Sequence, residues 1–142
     1  TYYIKENEMK YTICKENFVN IFINNFVPKI SIKKLKQLKC YAPNHGYLWM
    51  ICEHNLVENL KGKDAMMAYD NVDKTDAIEF QYDNGFMGDD ISAPLSKEND
   101  SSIKICNNGL IEFYVIGKNF SWCYIVTHES NGCGPYFIIK NK

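Results

Sequence analysis

Phe120-Ser121-Trp122-Cys123-Tyr124-Ile125-Val126-Thr127-His128-Glu129 is the stretch on which the fold turns. Its period of two sets Phe120, Trp122, Tyr124, Val126 and His128 on one face of a strand. Cys123, Ile125, Thr127 and Glu129 take the other face. Gly117-Lys118-Asn119 is a turn before it, and Asn131-Gly132-Cys133-Gly134-Pro135 connects it to a strand over residues 136–140. Upstream, Ile103-Lys104-Ile105-Cys106 leads through Asn107-Asn108-Gly109 into residues 110–116, and Asn-Gly between apolar runs predicts a hairpin. Strands this close, joined by short turns, are antiparallel neighbours, because parallel pairs need long crossovers.

Two further strands are read outward from this ribbon. Residues 47–52 form an apolar run behind the Pro43-Asn44-His45-Gly46 turn. Residues 77–82 alternate, with Ile78, Phe80 and Tyr82 on one side and Glu79 and Gln81 on the other. Helices come first in the chain. From Lys15, Phe18, Phe22 and Phe26 recur every fourth residue beside Val19 and Ile23, an apolar stripe of helical period. Pro28 ends that helix. Ser31 then caps a second one, in which Ile32, Leu35 and Leu38 face inward and Lys33, Lys34, Lys36 and Lys39 are solvated. A third short helix follows Gly62 over residues 63–69. Residues 1–12 are a frayed start or an edge strand. The expected fold is α+β: two or three N-terminal and central helices packed on one face of a five- to six-stranded, mainly antiparallel sheet. The Phe stripe is expected to roof the Trp122–Tyr124 side of that sheet.

Composition bounds the function. With 142 residues and no repeat or linker, one domain over 1–142 is expected. The formal charge is −1, and all sixteen basic residues are Lys. Nucleic acid is therefore a poor partner, since Arg supplies the bidentate contacts that phosphate and guanine call for. A genome rich in A and T explains the missing Arg. No apolar run approaches the ~18 residues of a membrane span. The six Cys contain no C-x-x-C pair, a usage suited to reduced thiols and the cytoplasm. The chain starts at Thr1 and not at Met, which leaves open whether a leader was removed.

The polar cluster Thr127-His128-Glu129, with His128 five residues before Cys133, is the one candidate for catalysis. A thiol nucleophile needs a base in reach, and His128 lies across a turn from Cys133. The competing explanation is that His128 and Glu129 satisfy loop backbone at a strand end. Trp49 and Trp122 are candidates to line a pocket. No metal is expected, because Cys52-Glu53-His54 has no second ligand pair at finger-like spacing. No cofactor motif is present. Residues 83–101 are the longest irregular stretch and the candidate mobile loop. There the carboxylates of Asp89 and Asp90, with Phe86 interleaved, suit either a basic protein partner or plain solvation.

Gly46-Tyr47-Leu48-Trp49, Lys61-Gly62 before an Ala-rich helix, Trp122 through Thr127-His128-Glu129, and Gly134-Pro135-Tyr136-Phe137 together resemble a small bacterial family known as domain of unknown function 4275. These motifs span most of residues 44–137. The resemblance implies a bacterial cytosolic protein of about this length and transfers no activity. Three functions stay open. One is a non-enzymatic protein-binding module, of which an immunity-type protein neutralising a toxin domain is a specific form. Another is a small enzyme or ligand binder using His128, Glu129 and Cys133. The third is a structural protein without a site.

Overall fold

The computed structural model describes residues 15–40, 48–81, 92–108, 112–127 and 134–140. Its centre is a six-stranded antiparallel sheet: β1 (Asn59–Lys61), β2 (Ile78–Gln81), β3 (Ala93–Pro94), β4 (Phe113–Ile116), β5 (Trp122–Val126) and β6 (Tyr136–Ile139), in the order β1-β6-β5-β4-β2-β3. The meander β4-β5-β6 stands as the turns predicted, with Val115 opposite Tyr124 and Tyr124 opposite Phe137.

Alternation along these strands divides the apolar residues between two cores. Ile78, Phe80, Tyr114, Ile116, Cys123, Ile125, Tyr136 and Ile138 face one side. It is covered by α1 (Lys15–Phe26), α2 (Ile32–Gln37) and α3 (Met50–Glu53). Phe18, Phe22 and Phe26 are buried as their spacing requires. Phe18 stacks on Phe80 with ring centres 4.1 Å apart and meets Tyr114 edge-on at 5.3 Å. Ser31 caps α2 by accepting the Lys34 N–H at 3.1 Å.

Val115, Trp122, Tyr124 and Phe137 face the opposite side, beneath α4 (Lys63–Asn71) and α5 (Ser102–Asn108). The Phe stripe therefore roofs the Cys123–Ile125 side, and the Trp122–Tyr124 side has helices of its own. Tyr69 of α4 fills that second core, stacked 4.3 Å from Tyr124 and edge-on to Trp122. Phe120 also leaves the phase of Trp122. Asn119 and Phe120 adopt positive φ (58° and 55°), and the resulting kink places Phe120 against the first core.

Five further expectations are corrected. Residues 48–52, the described part of the run expected over 47–52, are not a strand: Met50 opens α3, where the His54 N–H donates to Met50 O at 2.9 Å. A short apolar run fits a buried helix as well as a strand. Residues 103–106 belong to α5, not to a strand. A helix buries Ser102 and Ile105, one turn apart, and leaves Ile103 67% exposed. The connection at Asn108 thus joins a helix to a strand and is no hairpin. Ile32, expected inward, is 42% exposed. The described part of the irregular stretch, residues 92–101, holds β3 and a 3₁₀ turn at Lys97–Asn99 and is tied to the body. Glu79 accepts the Ser96 N–H at 2.7 Å, and the Tyr69 hydroxyl donates to Asn99 O.

Helix α5 is capped locally by Ser101, whose hydroxyl oxygen accepts the Lys104 N–H at 3.3 Å, and a second time from a different helix. The Asp70 carboxylate, on α4, accepts the Ser102 N–H at 2.8 Å and its hydroxyl at 2.7 Å. Such caps contribute about 1–2 kcal/mol. Asp70→Ala should lower unfolding stability by that amount and speed hydrogen exchange of the α5 amides first. A change below about 0.3 kcal/mol would mean the cap is redundant.

Candidate functional site

Trp49 and Trp122 lie on opposite faces of the sheet. Trp49 is buried in the first core, its indole stacked 6.3 Å from Tyr136. Trp122 is buried in the second, stacked 5.6 Å from Phe137. They share no pocket. His128, Glu129, Cys133, Phe86, Asp89 and Asp90 lie outside the described residues. One step past the Phe113–Val126 rung sit Glu112 and Thr127, 1% and 2% exposed. Glu112 holds a φ of +44°, a strained backbone for a non-glycine residue. Sequence pattern carried no sign of this buried carboxylate.

The buried thiols of Cys40, Cys52 and Cys123 are poor nucleophiles. Burial pushes Cys40 up to about 11 and holds Cys52 and Cys123 well above their ordinary value of 9.0. Cys40, Cys52, Cys106 and Cys123 are free. Among the described residues, no group of three or more His, Cys, Asp or Glu is placed to hold a metal.

The two edges of the sheet differ, and the difference identifies a surface. At the β3 edge, the Leu95 N–H donates to Ala77 O, so Pro94, one residue away, turns its backbone outward. Proline has no N–H to offer there, and the edge is blunted. At the other edge the Gly62 N–H donates to Pro135 O at 2.9 Å, which makes Leu60–Phe137 the next hydrogen-bonded rung. Asn59 and Lys61 therefore point their backbone N–H and C=O away from the sheet, and neither is a proline.

That edge is held in shape from behind. The Asn59 side-chain amide donates to Val57 O at 2.8 Å and to Cys52 O at 3.4 Å. The Tyr136 hydroxyl donates to Glu53 Oε2 at 2.5 Å, and Lys61 Nζ lies 3.9 Å from the same oxygen. Beside it, Leu60 and Ile139 are 42% and 61% exposed. With Glu58, Asn59 and Phe137 they line a shallow groove of about 240 Å³. A larger groove of about 480 Å³ runs past Lys74, Asp76, Leu95 and Asp100. Three of its charges are engaged: Lys118 Nζ lies 3.7 Å from Asp76, Lys104 Nζ 2.8 Å from Asp100, and Lys74 Nζ 4.6 Å from the Tyr69 ring centre.

Residues 3–137 match the family described as domain of unknown function (DUF4275). The chain belongs to this family. The match includes every strand of the sheet up to Phe137, and so contains β1 and the first rungs of its partner β6. No curated protein and no solved structure matches the chain. Among the described residues no helix is long and apolar enough to cross a membrane.

Proposed function

We propose that this DUF4275 protein is a protein-binding module that accepts an extended segment of another polypeptide along β1. The observation that carries the reading is the β1 edge, which pairs with β6 and with no other strand among the described residues. Outward backbone groups at Asn59 and Lys61 lie beside the exposed side chains of Leu60 and Ile139. An added strand takes its affinity from main-chain hydrogen bonds and its selectivity from alternate side chains. Leu60 and Ile139 would receive the alternate apolar residues of such a strand. The buttressing by Asn59, Glu53 and Tyr136 keeps the ordering cost of binding low. Nothing in this chemistry singles out a toxin domain over any other strand donor.

Selection of random peptides of about twelve residues against the immobilised protein should enrich extended sequences with alternating apolar residues. Lys61→Pro deletes one outward N–H while leaving the Leu60–Phe137 rung intact, and should weaken the selected peptides at least ~10-fold. Peptides that bind Lys61→Pro and Leu60→Lys variants as well as the native protein would refute the reading.

A further inference from the structure

We infer that the polypeptide seated on β1 is a second copy of this chain, paired antiparallel about a two-fold axis at Leu60. The inference rests on the strand-accepting reading above and names the donor.

Three features of the edge select this occupant. First, the outward backbone groups belong to Asn59 and Lys61, so a second β1 forms its hydrogen-bonded rungs only in registers that pair odd-numbered residues. In one of these, Asn59 of each copy faces Lys61 of the other. The two rungs flank the axis, and Leu60 meets its own counterpart between them. Pairing Lys61 with Lys61 would set like charges directly opposite, which is destabilising. Pairing Asn59 with Asn59 would move Leu60 off the axis and set it against the Glu58 carboxylate. The Leu60-centred register avoids both.

Second, the apolar groups close on themselves. Leu60 shares a face with Phe137 and Ile139, so the symmetric pair joins two exposed Leu60–Ile139 patches into one strip across the axis. A patch that is its own complement is what a two-fold contact between identical subunits requires.

Third, the charges complement. In this register Glu58 lies opposite Gly62 of the other copy, and Lys63 follows directly at the start of α4, over the same face. Glu58 thus meets Lys63 twice, once on each side of the axis. The net charge of −1 per chain sets little repulsion against the pairing.

Sedimentation equilibrium should show the 16.5 kDa chain giving way to a species of twice that mass at protein concentrations of about 0.1 mM, as befits a small interface. Lys61→Pro and Leu60→Lys should each weaken self-association at least ~10-fold. Ile103→Lys, on the exposed side of α5, should leave it unchanged. Facing side chains of a non-hydrogen-bonded antiparallel rung have Cβ atoms about 4.5–5.5 Å apart. Leu60→Cys should therefore cross-link between chains under mild oxidant, the linkage being located by peptide mapping. A folded Leu60→Cys variant that does not cross-link through that position would overturn the inference. A native protein that stays monomeric at about 1 mM yet binds selected peptides would overturn the second copy and leave the strand-accepting reading standing. Self-association insensitive to both β1 substitutions, with no peptide binding, would overturn both.

Discussion

Truncation of Phe18 to alanine should lower the unfolding free energy by about 3–5 kcal/mol. Phe18 has no solvent exposure and is surrounded by aromatic rings, with Phe80 stacked at 4.1 Å, Tyr114 edge-on at 5.3 Å and Phe22 at 5.8 Å. Removing it deletes the transfer energy of the ring and leaves a cavity between α1 and the sheet. Neighbours held on β2 and β4 fill that space only in part. Domains of this size have total stabilities of about 5–15 kcal/mol, so the variant should sit near the edge of folding. Urea denaturation is the direct measurement: the midpoint should fall while the slope stays unchanged. Ile103→Ala, on an exposed side chain, should remain within about 0.5 kcal/mol of the native protein. A loss below about 1.5 kcal/mol at Phe18 would mean that the helical stripe is not the lid of the first core.

Raising the pH above 9 should destabilise the protein steeply. Cys52 and Cys123 are both fully buried, and loss of hydration is the largest cause holding each thiol well above the ordinary value of 9.0. A folded-state value raised in this way contributes stability that is complete below pH 9. Above pH 9 the unfolded chain releases these protons and the folded chain retains them, so stability falls as pH rises. The two thiols together account for a loss of about 3 kcal/mol by pH 10. Cys40 adds to the decline until its own ionisation near 11. Tyr69 and Tyr124, raised by burial above their ordinary 10.0, extend it further. Denaturation at pH 8 and pH 10 under reductant measures the slope. The Cys52→Ala/Cys123→Ala double variant should lose most of the dependence between those values. An unchanged slope in that variant would rule out the thiols as its source.

Periodicity carried far in the long, regular segments. The fourfold spacing of Phe18, Phe22 and Phe26 placed α1 on a core. The alternation of residues 122–126 and the turns at Gly117 and Gly134 placed β5 and β6. It failed where a segment was too short to show a period. Met50-Ile51-Cys52 and Ile103-Lys104-Ile105 each fit a strand or a helical turn equally well, and cover over the sheet decided both for helix. Asn59-Leu60-Lys61 has no strand signature at all. It is extended because β6 offers it a ladder, and the pairing with Tyr136, Phe137 and Ile138 supplies what propensity does not.

The candidate site was less legible for the same reason. An edge strand is defined by what does not pair with it, a property of strand order rather than of residue type. Pro94 and Lys61 take opposite meanings only once each is known to face outward. The buried Glu112 was equally invisible, since its burial and its positive φ follow from the sheet end it occupies.

The chain by itself determined the class of fold, the Phe-striped lid, the antiparallel meander and family membership, because each follows from local period, turn chemistry or motif. Only the tertiary structure decided which face each helix covers, that both faces are covered, and which of the described strands lies at each edge. Those outcomes depend on pairings between residues as far apart as Leu60 and Phe137, and no local pattern encodes a partner at that distance.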